Sequence, residues 1–231
     1  MIIKSIASSS KGNCYSITKG NSTLLLECGI PAKAIRAALG FNLSGVAGCL
    51  CSHEHLDHSK ATKDVMRAGV DVYTSRGTIE ALGLSGHRIN VIKALDQFTI
   101  AGWTVLPFET KHDAVEPLGF LVGKDGDKLL YATDTYYLPY KFEGLTHILI
   151  EASFDKDILN ANIKSGAVPA VIKKRLIRSH FSLDNVIKFF EANDLSKLKE
   201  TWLIHLSNKN SDADRFKEAV QRETGRPVYI A

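Results

Sequence analysis

The chain is short of everything that would send it to a membrane. Among 231 residues no apolar run approaches the roughly 18 consecutive residues a bilayer-crossing helix needs. The start, Met1 to Cys14, lacks the basic segment and apolar core of a secretory leader, so a cytoplasmic location is expected. Cysteine is scarce as well. Cys14, Cys28, Cys49 and Cys51 match neither a disulfide framework nor a four-cysteine zinc pattern, and they read as reduced core residues. A net charge of +4 rests on 29 Lys and Arg against 25 Asp and Glu. No run of Lys and Arg is expected to reach the density of a nucleic-acid arm or a polybasic membrane patch. The balance suits an anionic substrate without specifying one. Low-complexity segments and long Pro, Gly or Ser linkers are absent too, so a single domain over residues 1–231 is expected.

What is present is alternation. Runs such as STLLLECG, VAGCLCS, DKLLYATD, HILIEAS and TWLIHLS read as strands. PAKAIRAALG reads as a helix stopped by Gly40, and SLDNVIKFFEAND and DADRFKEAVQRETG read as further helices. A helix is also expected from Ser59 onward, in SKATKDVMRAGV. Strands and helices mix in both halves and the histidines fall where strands end. That pattern fits an α/β fold of two packed sheets with helices outside and the reactive groups at one rim.

The chemistry concentrates in LCSHEHLDHSK, where His53, His55, Asp57 and His58 fall within six residues after an apolar strand. Imidazole nitrogens and a carboxylate bunched in this way suit divalent Zn, Mn or Fe. His53 and His55 can face one side while Asp57 and His58 are carried round the turn, enough for two ions where a structural zinc needs one. A histidine-rich surface turn is the bland alternative, and the flanking strand and helix argue against it. Three later residues also follow apolar strands: His112, Asp134 and His205.

In that order these residues resemble the metallo-β-lactamase superfamily, whose HxHxDH loop is followed by a His, a bridging Asp and a final His. The resemblance spans nearly the whole chain and implies an αββα sandwich, two mixed sheets flanked by helices. It also implies His53, His55 and His112 on one metal, Asp57, His58 and His205 on the other, and Asp134 on both. Glu27 stands where the superfamily commonly has Asp, and is kept as a residue behind the ligands. ASSSKGNCY, HDAVEPLGF, SHFS and IHLSNKN are similar to the phosphodiesterase branch related to RNase Z. Within it, the chain resembles both WalJ-type exonucleases and the phage anti-Pycsar enzymes, which hydrolyse cyclic nucleotides.

The expected reaction is phosphodiester hydrolysis with a water activated between two divalent metals, most simply zinc. Asp57 is expected to orient the nucleophile and His180 to protonate the leaving oxygen. His205 closes an apolar strand as a ligand should, whereas His180 precedes Ser182, an N-cap whose helix start can attract phosphate. Ser9, Asn13 and Ser182 are kept as substrate-binding candidates. Tyr136, Tyr137 and Tyr140 can stack a base or cover the core, and core is favoured. The first expectation for substrate is a cyclic mononucleotide. A 5′ exonuclease or endonuclease on DNA or RNA is the alternative, and a thioester or lactam hydrolase comes third. A homodimer is implied by the resemblance alone.

Overall fold

The structure is a computed structural model that describes all 231 residues, Met1 to Ala231. The chain divides into two compact units: residues 1–109 with 114–126, and residues 110–113 with 127–231.

In the first unit the order is β1 (Ile2–Ala7), β2 (Cys14–Lys19), β3 (Ser22–Leu26), α1 (Ala32–Ala38), β4 (Val46–Leu50), α2 (Leu56–Ser59), α3 (Thr62–Arg67), β5 (Val72–Thr74), α4 (Arg76–Leu82) and β6 (Ile89–Val91). These strands form one mixed sheet in the order β1 to β6. The first three pair antiparallel and the last four parallel. Parallel strands need crossovers, which is why helices separate β3 to β6 and why Leu24, Leu25 and Leu26 are all fully buried. The unit continues with β7 (Phe98–Ile100), β8 (Trp103–Glu109) and β9 (Leu118–Lys124), an antiparallel meander.

The second unit holds β10 (Asp127–Ala132), β11 (His147–Glu151), α5 (Lys156–Lys164), α6 (Ile172–Ser179), α7 (Leu183–Ala192), β12 (Glu200–Ile204), α8 (Ala213–Thr224) and β13 (Val228–Ile230). Its strands pair parallel in the order β10 to β13. The register sets Ala132 beside Ile150 and Glu151 beside Ile204, so three carboxyl ends lie side by side.

Gly40 ends α1 as expected, with a φ of 64°. The sequence reading differs from the structure in two places. Asp57 and His58 lie on α2 rather than in a loop before the helix, because His55 and Leu56 carbonyls already accept helical bonds from His58, Ser59 and Lys60. The stretch 156–179, unassigned from sequence, contains α5 and α6. Helix α5 is started by Asp155, whose carboxylate accepts from the backbone N–H of Asp157 and Ile158, a cap worth about 0.5–2 kcal/mol. Helix α6, IKKRLIRS, has four cations in eight residues and no acid. Those four cations are hidden in the near-balanced total charge.

All four cysteines are free and buried. No helix is long and apolar enough to cross a membrane.

Candidate metal centre

In the first unit the donors gather at the carboxyl ends of β3 and β4, the edge of a parallel sheet where ligands generally bind. His53 follows β4 and is buried; its Nδ1 lies 2.8 Å from the Ser52 hydroxyl and its Nε2 3.2 Å from His55 Nδ1. Two nitrogens bound to one tetrahedral zinc at about 2.0–2.1 Å stand about 3.3 Å apart. The observed spacing fits that geometry. His58 Nε2 and Asp57 Oδ2, 3.4 Å apart, fit it equally well.

Behind these donors, Glu27 is fully buried with φ 65°. Its Oε2 accepts from Ser52 N–H at 3.2 Å and lies 3.7 Å from His58 Nδ1, and its Oε1 has no hydrogen-bond partner. A carboxylate on the Nδ1 side of the ring favours Nε2 as the ligand nitrogen. Asn13 is buried too. Its amide donates to the carbonyls of Ser9 (3.0 Å) and Asp57 (3.2 Å) and lies 3.3 Å from His58 Nε2. Ser9 in turn donates its backbone N–H to Asn13 Oδ1. Of the spacers between the ligands, Glu54 ties the turn down by accepting from Val115 N–H at 2.9 Å.

In the second unit the register of β10, β11 and β12 delivers Asp134, Glu151 and His205. Asp134 and His205, just beyond their strands, have φ of 40° and 55°. Left-handed backbone at a non-glycine costs about 1–3 kcal/mol and persists where surrounding structure enforces it. Here it turns each side chain off the strand end. His112 donates from Nδ1 to the Ser179 carbonyl at 2.8 Å, since a carbonyl can only accept, and this leaves the Nε2 lone pair 3.4 Å from Asp134 Oδ2. His205 Nε2 lies 3.8 Å from the other Asp134 oxygen. One carboxylate thus faces a different imidazole with each oxygen, the arrangement a bridging ligand requires. Burial pulls the His112 pKa down, against the opposing pull of Asp134, and the neutral ring is the ligand form.

Glu151 was not singled out in the sequence. Fully buried at the end of an apolar strand, it receives His180 Nδ1 at 2.5 Å and lies 3.4 Å from His205 Nδ1. The signal was available: an acid closing HILIE has no reason to be buried unless something pairs with it. Burial lowers the His180 pKa, but the Glu151 charge and hydrogen bond outweigh it, and the net shift is upward. Burial likewise raises Glu151, and the two histidines reverse that to a net lowering. Asp134, Glu151, His180 and His205 offer four donor atoms within 4.8 Å of one another. Ser182 is spent elsewhere: it is buried, and its hydroxyl caps α7 by accepting from Asn185 N–H. Tyr136 and Tyr137 stand exposed, so neither covers the core. His87 lies in an exposed turn and His147 is buried at the start of β11, outside both clusters.

Comparison with known proteins agrees with this chemistry. Residues 25–205 match the model of the beta-lactamase superfamily domain. The chain is 27% identical to exodeoxyribonuclease YycJ of Bacillus anthracis, covering 89% of this chain and 82% of that one. It is 26% identical to exodeoxyribonuclease WalJ of Streptococcus pneumoniae, over 89% and 81%. Among solved structures, the metallo-beta-lactamase fold protein YhfI from Bacillus subtilis superposes with a TM-score of 0.73, 14% identity and coverage of 99% and 95%. That likeness shows the fold, an αββα sandwich of two mixed sheets flanked by helices.

Proposed function

Because the chain belongs to the beta-lactamase superfamily, and its named relatives are exodeoxyribonucleases, we propose that it hydrolyses phosphodiesters of nucleic acid. It is a metal-dependent hydrolase of the nuclease and phosphodiesterase branch. In this reading residues 1–231 are one domain that serves one binuclear centre. His53, His55 and His112 hold one ion, Asp57, His58 and His205 the other, and Asp134 both. Zinc is the first choice of metal, ahead of Mn or Fe, because imidazole dominates the set and the donor spacings of 3.2–3.4 Å suit a tetrahedral ion. Bound metals supply Lewis acidity: they lower the pKa of water and neutralise charge on phosphoryl oxygens.

The chain's own residues do the rest. Water attacks phosphorus, the ester P–O bond breaks, and the leaving oxygen takes a proton from His180. The products are a phosphate monoester and a free hydroxyl. The His180–Glu151 pair at 2.5 Å is the observation that carries this assignment, because the carboxylate favours the protonated ring and fixes its direction. Asp57 orients the nucleophile. Asn13, Ser182 and Glu27 act by holding these groups in place; Ser9 positions Asn13.

A polymer is favoured over a cyclic mononucleotide by α6. Lys173, Lys174, Arg175 and Arg178 are exposed on the helix that ends at His180, so a strand lying along it leads toward the proton donor. Cations arrayed on one exposed helix are the electrostatic footprint of backbone binding. The deciding experiment gives metal-loaded protein single- and double-stranded DNA and RNA, 3′,5′-cyclic nucleotides, cyclic dinucleotides, a thioester and a lactam. Cleavage of single- or double-stranded polymer is expected. Turnover confined to cyclic nucleotides would restore the cyclic-nucleotide expectation, and turnover of thioesters or lactams alone would overturn both. A cytoplasmic homodimer completes the proposal, and light scattering tests the dimer.

A further inference from the structure

The second unit has a cavity of about 200 Å³ whose wall includes Phe181, the residue after the proton donor. It is lined by Tyr137, Tyr140, Phe181 and Phe189, with Lys141 and Lys188 exposed among them and no acid in its wall. No carboxylate pairs with either lysine. Volumes of 300–1,000 Å³ suit drug-sized ligands, so this space fits a single flat ring.

The walls are built in advance. Phe142 N–H donates to Asn193 Oδ1 at 2.7 Å, Asn193 Nδ2 to the Phe189 carbonyl at 2.7 Å, and Asn185 Nδ2 to the Tyr136 carbonyl at 3.1 Å. Residues 136–142 are thereby strapped to α7. Tyr140, Phe142 and Phe189 follow one another at ring separations of 6.2 and 6.3 Å.

Both walls also hang from the reactive site. Glu151 Oε2 accepts from Thr135 N–H at 3.0 Å and from Phe181 N–H at 3.1 Å, while Oε1 receives His180. Thr135 Oγ1 donates to the Tyr137 carbonyl at 2.9 Å, fixing the turn that presents the Tyr137 ring, which is 56% exposed. One carboxylate therefore aims the proton donor and anchors the two segments that form the cavity.

We propose that this cavity is a base subsite. It stacks one nucleobase of the strand being cleaved, one nucleotide from the scissile linkage, while Lys141 and Lys188 meet the phosphate of that nucleotide. Stacking on aromatic rings is tolerant of sequence because every base offers a π-face. The subsite thus suits a nuclease without base preference, and it rests on the nucleic-acid reading above. The positive rim and the absence of acid argue for an anionic aromatic ligand over an apolar peptide or a second copy of the chain.

The test titrates the protein with a fluorescently labelled single-stranded DNA octamer, in chelating buffer so that the strand stays intact, and reads anisotropy. A single abasic position is then walked along the strand. At one position the loss of the base is expected to weaken binding about tenfold, the size of one stacking contact. Tyr137→Ala should weaken binding of the intact strand by a similar factor, and the two losses should not multiply. Tyr137→Phe should restore binding. Lys188→Ala should lower the slope of log Kd against log salt by about 0.7. A flat abasic profile, or losses that multiply fully, would overturn the subsite. Cleavage of the same octamer by metal-loaded protein is scored separately. Cleavage with a flat profile sinks the subsite alone, and an abasic effect without cleavage sinks the nuclease reading alone.

Discussion

Gly29 is the position where one methyl group should do the most damage. A Cβ there would stand 1.7 Å from the Asp57 carbonyl oxygen, 2.1 Å from its carbon and 2.7 Å from the His58 nitrogen. All three are backbone atoms, so no side chain can swing aside. Raising 1.7 Å to the 3.0 Å floor for real contacts takes about 1.3 Å of backbone movement. That movement falls on α2, which presents Asp57 and His58. Three bonds brace the junction: Asn13 N–H to the Asp57 carbonyl (2.7 Å), Cys28 N–H to the His58 carbonyl (2.9 Å) and Gly29 N–H to the Asn13 carbonyl (2.9 Å). The loop therefore cannot move alone. A misplacement of about 1 Å can cost on the order of 10²-fold in rate, while overpacking costs about 1–3 kcal/mol of stability. Gly29→Ala should accordingly remain folded, lose metal occupancy at the Asp57–His58 site and turn over at least about 100-fold more slowly. Gly45→Ala is the control, because its Cβ would meet nothing nearer than 3.8 Å. Metal content by plasma mass spectrometry, melting temperature and turnover of a nucleic-acid substrate settle the matter. Full metal content and a near-normal rate in Gly29→Ala would refute the reasoning.

Other expectations concern the second unit and the metal. Glu151 raises the His180 pKa, so the proton donor stays charged to higher pH and activity falls as pH rises through that value. Glu151→Gln should move this alkaline limb to lower pH, and an unmoved limb in the pH–rate profile contradicts the role. The pair's contribution to stability has the same sense: it is present below the unfolded histidine value and is lost as pH rises through the folded one. Lys174→Glu with Arg178→Glu on α6 should weaken single-stranded DNA binding and lower its salt slope by about 1.4, from two lost phosphate contacts; an unchanged slope removes α6 from the interface. Metal present at 100 times its Kd adds about 2.7 kcal/mol, so chelation should lower the melting temperature by about 5–10 °C, read by calorimetry. Equal melting with and without chelator would show that no metal is bound by the folded protein.

The ligands were legible because each breaks a local rule. Four polar metal donors directly after VAGCLC, and single His or Asp residues closing KLLYA and TWLI, are out of place unless something binds them. Glu151 broke the same rule in HILIE and was overlooked, since its partner His180 lies 29 residues away and only the fold pairs them. Asn13 reads as a substrate-binding candidate, and its grip on Asp57 from 44 residues away is invisible locally. Start signals also misled: Ser59 and Lys60 opened a plausible helix, but the carbonyl of His55 had already begun one. Chain-wide charge counting hides α6, because acids elsewhere cancel its exposed cations.

The aligned carboxyl ends of β10, β11 and β12 have a consequence for how such a site can change. Neighbouring strands are held about 4.8 Å apart by their ladders, so the spacing of Asp134, Glu151 and His205 is quantised in strand widths. A slip of one residue between β11 and β12 would not widen the site by a fraction of an ångström. It would turn His205 to the opposite face and put Ile204 in its place. Adaptation to a larger ion or another substrate must therefore come through rotamers and loops such as 135–142, with the sheet as a fixed ruler. The protein can be retuned there residue by residue without losing its register.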